Sequence, residues 1–143
     1  MPEFSTGALR GRRLLVVEDD YIVASDLALA LEERGAEVIG PAGSIGAALK
    51  LVAEQIALDG AVLDVDLRGQ RVYPVVDALR LASVPFVFTT GYDEWIIPDI
   101  YAAVLRLEKP VSIRALTRAL SEIGCPIALR RQWSDRDNRL KGA

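Results

Sequence analysis

Apolar residues follow two rhythms along this chain. Five short runs are apolar almost without interruption and end on polar residues: 13–17, 37–40, 60–64, 84–90 and 104–107. Runs of that length bounded by turn residues predict strands buried on both faces, the pattern of a parallel sheet. Between them apolar positions recur every three or four residues, which predicts helices. The first spans Tyr21 to Arg34, with Val23, Leu27 and Leu31 on one face and Gly35 as its stop. The second starts at Ser44 and carries Ala48, Leu49, Val52 and Ile56; the third covers Val72 to Leu81, with Pro74 in its first turn. The last is capped by Ser112 and shows Ile113, Leu116, Leu120 and Ile123. The interval from Gly91 to Tyr101 breaks the alternation, because Pro98 disfavours helix at Ile97, so a fourth helix there is expected to be short, displaced or absent.

Strand and helix in alternation imply parallel strands joined by right-handed crossovers, hence an α/β fold with helices on both faces of a five-stranded sheet. The reading divides the chain into an N-terminal tail (1–12), one domain (13–124) and a basic tail or short helix (125–143). That last segment has five basic residues against Asp135 and Asp137, and Leu129, Trp133 and Leu140 form a weak apolar stripe. Stripe and charge suit docking on the domain or on another protein, with a solvated tail as the equal alternative.

Composition narrows the function by exclusion. The 143 residues include no histidine, so Ser-His-Asp and Cys-His catalysis and histidine metal sites are ruled out. A net charge of −3 argues against direct DNA binding. No run approaches the ~20 apolar residues of a membrane span. The single cysteine, Cys125, fits a reducing compartment, and a cytoplasmic protein is expected. Gly40, Gly43 and Gly46 are spaced GxxGxxG rather than GxGxxG, which is a turn and helix start rather than a dinucleotide loop.

The polar ends of the strands carry the chemistry. Parallel strands bring their C-terminal ends to one edge of the sheet, where open α/β folds bind ligands. There the predicted order gathers Glu18-Asp19, Asp64, Thr90 and Lys109. Clustered acids repel one another, and a hard cation such as Mg²⁺ relieves the repulsion. Asp64 would then be a nucleophile toward phosphorus, with Lys109 and the Thr90 hydroxyl holding the transferred oxygens. Each has a plainer competitor: Asp64 as a helix-capping or loop acid, Glu18, Asp19 and Thr90 as helix caps, Lys109 as a surface lysine, and Tyr92 and Trp95 as loop anchors.

These residues resemble the receiver domain of two-component response regulators over Arg13 to Gly124. The acidic pair after the first strand, the aspartate ending the third, the Thr ending the fourth and the Lys-Pro after the fifth match Glu18-Asp19, Asp64, Thr90 and Lys109-Pro110. The resemblance implies a flavodoxin-like fold and a phosphoryl group accepted on Asp64 from a histidine kinase or phosphotransfer protein. It also implies Mg²⁺ held by Asp19, by Asp64, by Glu18 partly through water and by the Asp66 backbone carbonyl, and signalling to a downstream protein partner. Pro85 to Tyr92 is similar to the PFxFATGY signature of a subgroup of single-domain receivers, with Thr89 where that signature has Ala. Two positions depart from the wider family. Arg106 stands where an aromatic switch residue is usual, and Asp66 adds an acid near the site. The segment Gly91 to Ala103 is the element expected to move. Asp64-Val65-Asp66 also resembles the DxD of haloacid-dehalogenase-type phosphatases, although there the acidic pair follows the DxD. A receiver-fold binding module that works without phosphorylation is the third reading.

Overall fold

A computed structural model describes residues 7–54, 57–91, 97–101 and 103–123. Tyr92, Trp95, Ile56, Cys125 and the segment 125–143 lie outside the described residues, and so does part of the interval expected to move. Among the described residues seven strands and four α-helices follow one another: β1 (Arg13–Val17), α1 (Tyr21–Glu33), β2 (Glu37–Ala42), α2 (Ile45–Glu54), β3 (Gly60–Asp64), β4 (Asp66–Leu67), β5 (Gln70–Arg71), α3 (Tyr73–Leu81), β6 (Phe86–Thr90), β7 (Arg106–Glu108) and α4 (Ile113–Ile123). Between β6 and β7 the described residues hold one 3-10 turn, Asp99–Tyr101, and no α-helix. This agrees with the expectation drawn from Pro98.

The main sheet is parallel in the order β2-β1-β3-β6-β7, the receiver or flavodoxin-like arrangement. Successive strand residues face opposite ways, so each strand feeds two cores. Leu14, Val16, Val62 and Val87 pack with Leu27 and Leu31 of α1 and with Leu116 and Leu120 of α4. Leu15, Val17, Leu63 and Phe88 pack on the other face with Ala48 of α2 and with Val75, Val76 and Leu79 of α3. Ser44 and Ser112 cap as expected, their Oγ atoms accepting the amides of Ala47 at 3.1 Å and Ala115 at 3.2 Å.

Three details differ from the sequence reading. β4 and β5 form a small antiparallel hairpin that two-residue strands leave without any periodic signal. The last strand lies at Arg106–Glu108 rather than 104–107, in register with Phe88–Thr90. Residues 7–12 pack against the domain instead of forming a free tail. Leu9 is fully buried among Leu14 and Leu31, its amide donates to the Arg34 carbonyl at 2.8 Å, and the Arg12 guanidinium donates to the Leu120 carbonyl at 3.1 Å.

Gly35 makes that packing possible. α1 ends in a Schellman turn, with the Ala36 amide donating to the Leu31 carbonyl and the Gly35 amide to the Glu32 carbonyl. Gly35 takes a φ of +96°, and a Cβ on it would sit 2.9 Å from Arg10 Cα. Gly69 has φ +88° with open space around it. Gly69→Ala therefore carries only the left-handed penalty of about 1 kcal/mol, whereas Gly35→Ala is expected to lose about 2–3 kcal/mol in urea unfolding because Arg10 must also move. Equal losses would show that the close approach of Arg10 carries no energy.

Candidate functional site

The register sets the site. Val17 pairs with Leu63, Asp64 with Thr89, and Thr90 with Glu108, so Glu18, Asp64, Thr90 and Lys109 stand together at the C-terminal edge. β3 lies at the centre with β1 and β6 beside it, and the chain direction of the crossovers reverses between β1 and β3, the switch point where α/β sheets bind ligands.

After β1, the three consecutive acids take different tasks. Asp20 is the helix cap: its Oδ1 accepts the amides of Ile22 at 2.9 Å and Val23 at 3.1 Å. Capping is thus done by the residue next to the helix, and Glu18 and Asp19 are left to the sheet edge. Glu18 is buried, and its Oε2 accepts the Asp20 amide at 3.0 Å. The capping alternative for the acidic pair falls with this geometry.

Lys109 is no free surface lysine. Its Nζ donates to Asp64 Oδ2 at 2.7 Å and lies 2.9 Å from Glu18 Oε1, while the two carboxylate side chains are only 2% and 1% exposed. The lysine is held there by β7, its amide donating to the Thr90 carbonyl at 2.8 Å, and the Lys109-Pro110 peptide is cis. Asp64 Oδ1 accepts the Asp66 amide at 3.1 Å. Thr90 is buried at the end of β6.

Burial dominates the electrostatics of the acids. Desolvation pushes Glu18 up from the usual carboxylate value to about 7, against the opposing pull of the Asp20 amide and Lys109. It also raises Asp64, again against Lys109. Burial works against the Lys109 ammonium, but its pairing with Asp64 and Glu18 together outweighs that and holds it above the ordinary lysine value. Two buried acids thus share one cation, which leaves the edge short of positive charge.

Asp19 completes the acidic group. One carboxylate oxygen from each of Glu18, Asp19 and Asp64 lies within 4.8 Å of the others. Ligand oxygens around octahedral Mg²⁺ stand about 2.9 Å apart when adjacent and about 4.2 Å when opposite, from bonds of about 2.0–2.1 Å. Three carboxylate oxygens gathered within that limit are close enough together to serve one such ion. The Asp66 carboxylate is not part of this group among the described residues.

A cavity of about 330 Å³ opens beside the lysine, between α1 and the start of α4, lined by Glu18, Val23, Leu27, Thr89, Lys109 and Ile113. On the opposite face of the sheet, Tyr101 in the 3-10 turn is buried, stacked on Tyr73 with ring centres 4.3 Å apart and set edge-on to Phe88 at 6.4 Å. An aromatic anchor is therefore present next to β6, although Arg106 occupies the usual aromatic position.

One residue at the site was not singled out from sequence. Arg68, at the tip of the β4–β5 hairpin, places Nε 3.7 Å from Asp19 Oδ2. An arginine in a polar loop gives no sequence signal of its own; the signal lay in the Arg68-Gly69 pair as a two-residue turn.

No protein-family profile and no curated protein sequence matches the chain. Solved structures do. A response regulator receiver protein from Sinorhizobium medicae WSM419 superposes with a TM-score of 0.67 at 25% identity, over 81% of this chain and 96% of that one. The receiver domain of the hybrid histidine kinase CckA gives 0.66 at 27% identity, over 79% and 99%. SdrG from Sphingomonas melonis Fr1 gives 0.63 at 28% identity, over 78% and 95%. The structural neighbours are response regulator receiver domains, and this chain has their fold. Among the described residues, no helix is long and apolar enough to cross a membrane.

Proposed function

We propose that this chain is the receiver of a two-component phosphorelay, taking a phosphoryl group on Asp64 from a histidine kinase or phosphotransfer protein and passing the signal to a downstream protein partner. The observation that carries this reading is the lysine bridge: Lys109 Nζ sits between Asp64 and Glu18 where the central strand ends. An aspartyl nucleophile needs a cation that holds its carboxylate in the resting state and can transfer to phosphoryl oxygens afterwards.

The transfer forms a bond between an Asp64 carboxylate oxygen and phosphorus and breaks the phosphorus–nitrogen bond of the donor, whose imidazole leaves and takes a proton from solvent. Asp64 gives up its own charge in the acyl phosphate. Lys109, which is 28% exposed, is thereby released from Oδ2 to pair with the phosphoryl group, while Glu18 keeps it at the edge. The Thr90 hydroxyl is assigned a second phosphoryl oxygen. Mg²⁺, held by Asp19, Asp64, Glu18 and the Asp66 carbonyl, would neutralise charge on the phosphoryl oxygens.

The sequence Pro85 to Tyr92 and the lack of an α-helix among the described residues between β6 and β7 support kinship with the PFxFATGY subgroup. Chain order favours the receiver over the phosphatase reading: Glu18-Asp19 precedes Asp64-Val65-Asp66 here, whereas in haloacid-dehalogenase-type phosphatases the acidic pair follows the DxD.

The test is intact mass after incubation with acetyl phosphate. Wild type is expected to gain one phosphoryl group only with Mg²⁺, and Asp64→Asn none. Absence of any gain would hand the chain to the phosphorylation-independent reading, and rapid donor consumption without accumulation to the phosphatase. In the phosphorylated sample, unchanged amide exchange over Gly91 to Ala103 would remove that segment as the carrier of the signal.

A further inference from the structure

The β4–β5 hairpin is closed by two residues, with Leu67 paired to Gln70 and both Arg68 and Gly69 at positive φ, 54° and 88°. That is a type I′ turn, whose first position favours Asn, Asp or Gly. A longer side chain there has a left-handed backbone costing about 1–2 kcal/mol. Such outliers persist where the surroundings hold them and are common beside functional sites.

The turn puts one specific group in place. Arg68 has an 83% exposed side chain, and its Nε lies 3.7 Å from Asp19 Oδ2, the outermost carboxylate of the acidic group. The separation is longer than a hydrogen bond and runs through a single nitrogen rather than a bidentate fork. The guanidinium therefore contributes positive charge to Asp19 without fixing its rotamer. Lys109 already serves Glu18 and Asp64. Every carboxylate of the group thus has a cation from the chain itself.

We propose that Arg68 is a built-in counter-ion for Asp19 that a divalent metal must displace, so that the hairpin sets the threshold for metal loading. The proposal rests on the metal-binding reading of Glu18, Asp19 and Asp64. Removing the cation then tightens metal binding, by up to about fivefold for an exposed ion pair.

The experiment titrates Mg²⁺ alone, with no phosphodonor, into the full chain and follows the amide shifts of Asp19, Asp20 and Asp66. Arg68→Asn suits the turn and keeps the hairpin while removing the charge. Arg71→Gln, an exposed cation on the same hairpin, removes the same charge at a different place. The expected result is a dissociation constant about three- to fivefold lower in Arg68→Asn than in wild type and nearly unchanged in Arg71→Gln. Equal constants in wild type and Arg68→Asn, or equal tightening in both variants, would overturn the counter-ion role and leave the metal site standing. Absence of saturable binding in all three proteins would overturn the metal site and the counter-ion role together.

Discussion

Lys109→Met is expected to lower the unfolding free energy by about 3–5 kcal/mol at pH 8 without divalent cations, and by much less at pH 5. The lysine separates two carboxylates whose side chains are 1% and 2% exposed, and it approaches both within 3 Å, at 2.7 and 2.9 Å. Methionine fills a similar volume but supplies no charge, so both acids face each other in a poorly solvated site. Two such charges at about 4 Å repel by about 4 kcal/mol at an effective dielectric of 20. The chain escapes by protonating one of them, at about 1.4 kcal/mol for each pH unit above the acid's ordinary value. That route is expensive at pH 8 and nearly free at pH 5. Urea unfolding of both proteins in EDTA at the two pH values reads the contrast. An equal loss at both would mean that the lysine contributes packing by its stem rather than charge, and the lysine bridge would lose its electrostatic meaning.

That prediction depends on residues whose convergence is legible in the amino-acid sequence. The strand ends stand out because each buried run stops at a polar residue, and a parallel sheet has only one edge at which such stops can meet. Asp64, Glu18 and Lys109 needed nothing more than strand order. The division of labour among Glu18, Asp19 and Asp20 was less visible, since all three are good caps and the helix boundary decides which one caps. Leu9 was hidden for another reason: a lone apolar residue among polar ones has no period, and its burial depends on the turn at Gly35 twenty-six positions later. The β4–β5 hairpin is two residues on each side, too short for alternation to register. Arg68 was missed with it, because its role comes from a backbone conformation rather than from its residue type or spacing. The shift of β7 to Arg106–Glu108 has a similar origin, as pairing with β6 rather than the apolar run set its limits.

The second large effect concerns pH and metal together. Glu18 titrates at about 7 in the folded chain against an ordinary 4.5, chiefly because burial disfavours its charge. Between those values the native state holds a proton that the unfolded chain has released, so unfolding free energy falls as pH rises through this window. The raised Asp64 acts in the same direction, and the Lys109 ammonium stays charged throughout. For Glu18 the loss is at most about 3.5 kcal/mol, since each pH unit between the two values is worth about 1.4 kcal/mol. A divalent ion wants these carboxylates deprotonated, so its stabilising effect must grow over the same range in which the metal-free chain weakens. In EDTA the melting temperature is expected to fall from pH 5 to pH 8, and 10 mM Mg²⁺ should raise it at pH 8 while leaving pH 5 nearly unchanged. Glu18→Gln should flatten the metal-free profile and respond less to Mg²⁺. A Mg²⁺ response of the same size at both pH values would mean that the ion binds away from Glu18 and Asp64, and the acidic edge would then be a charge cluster held by Lys109 and Arg68 alone.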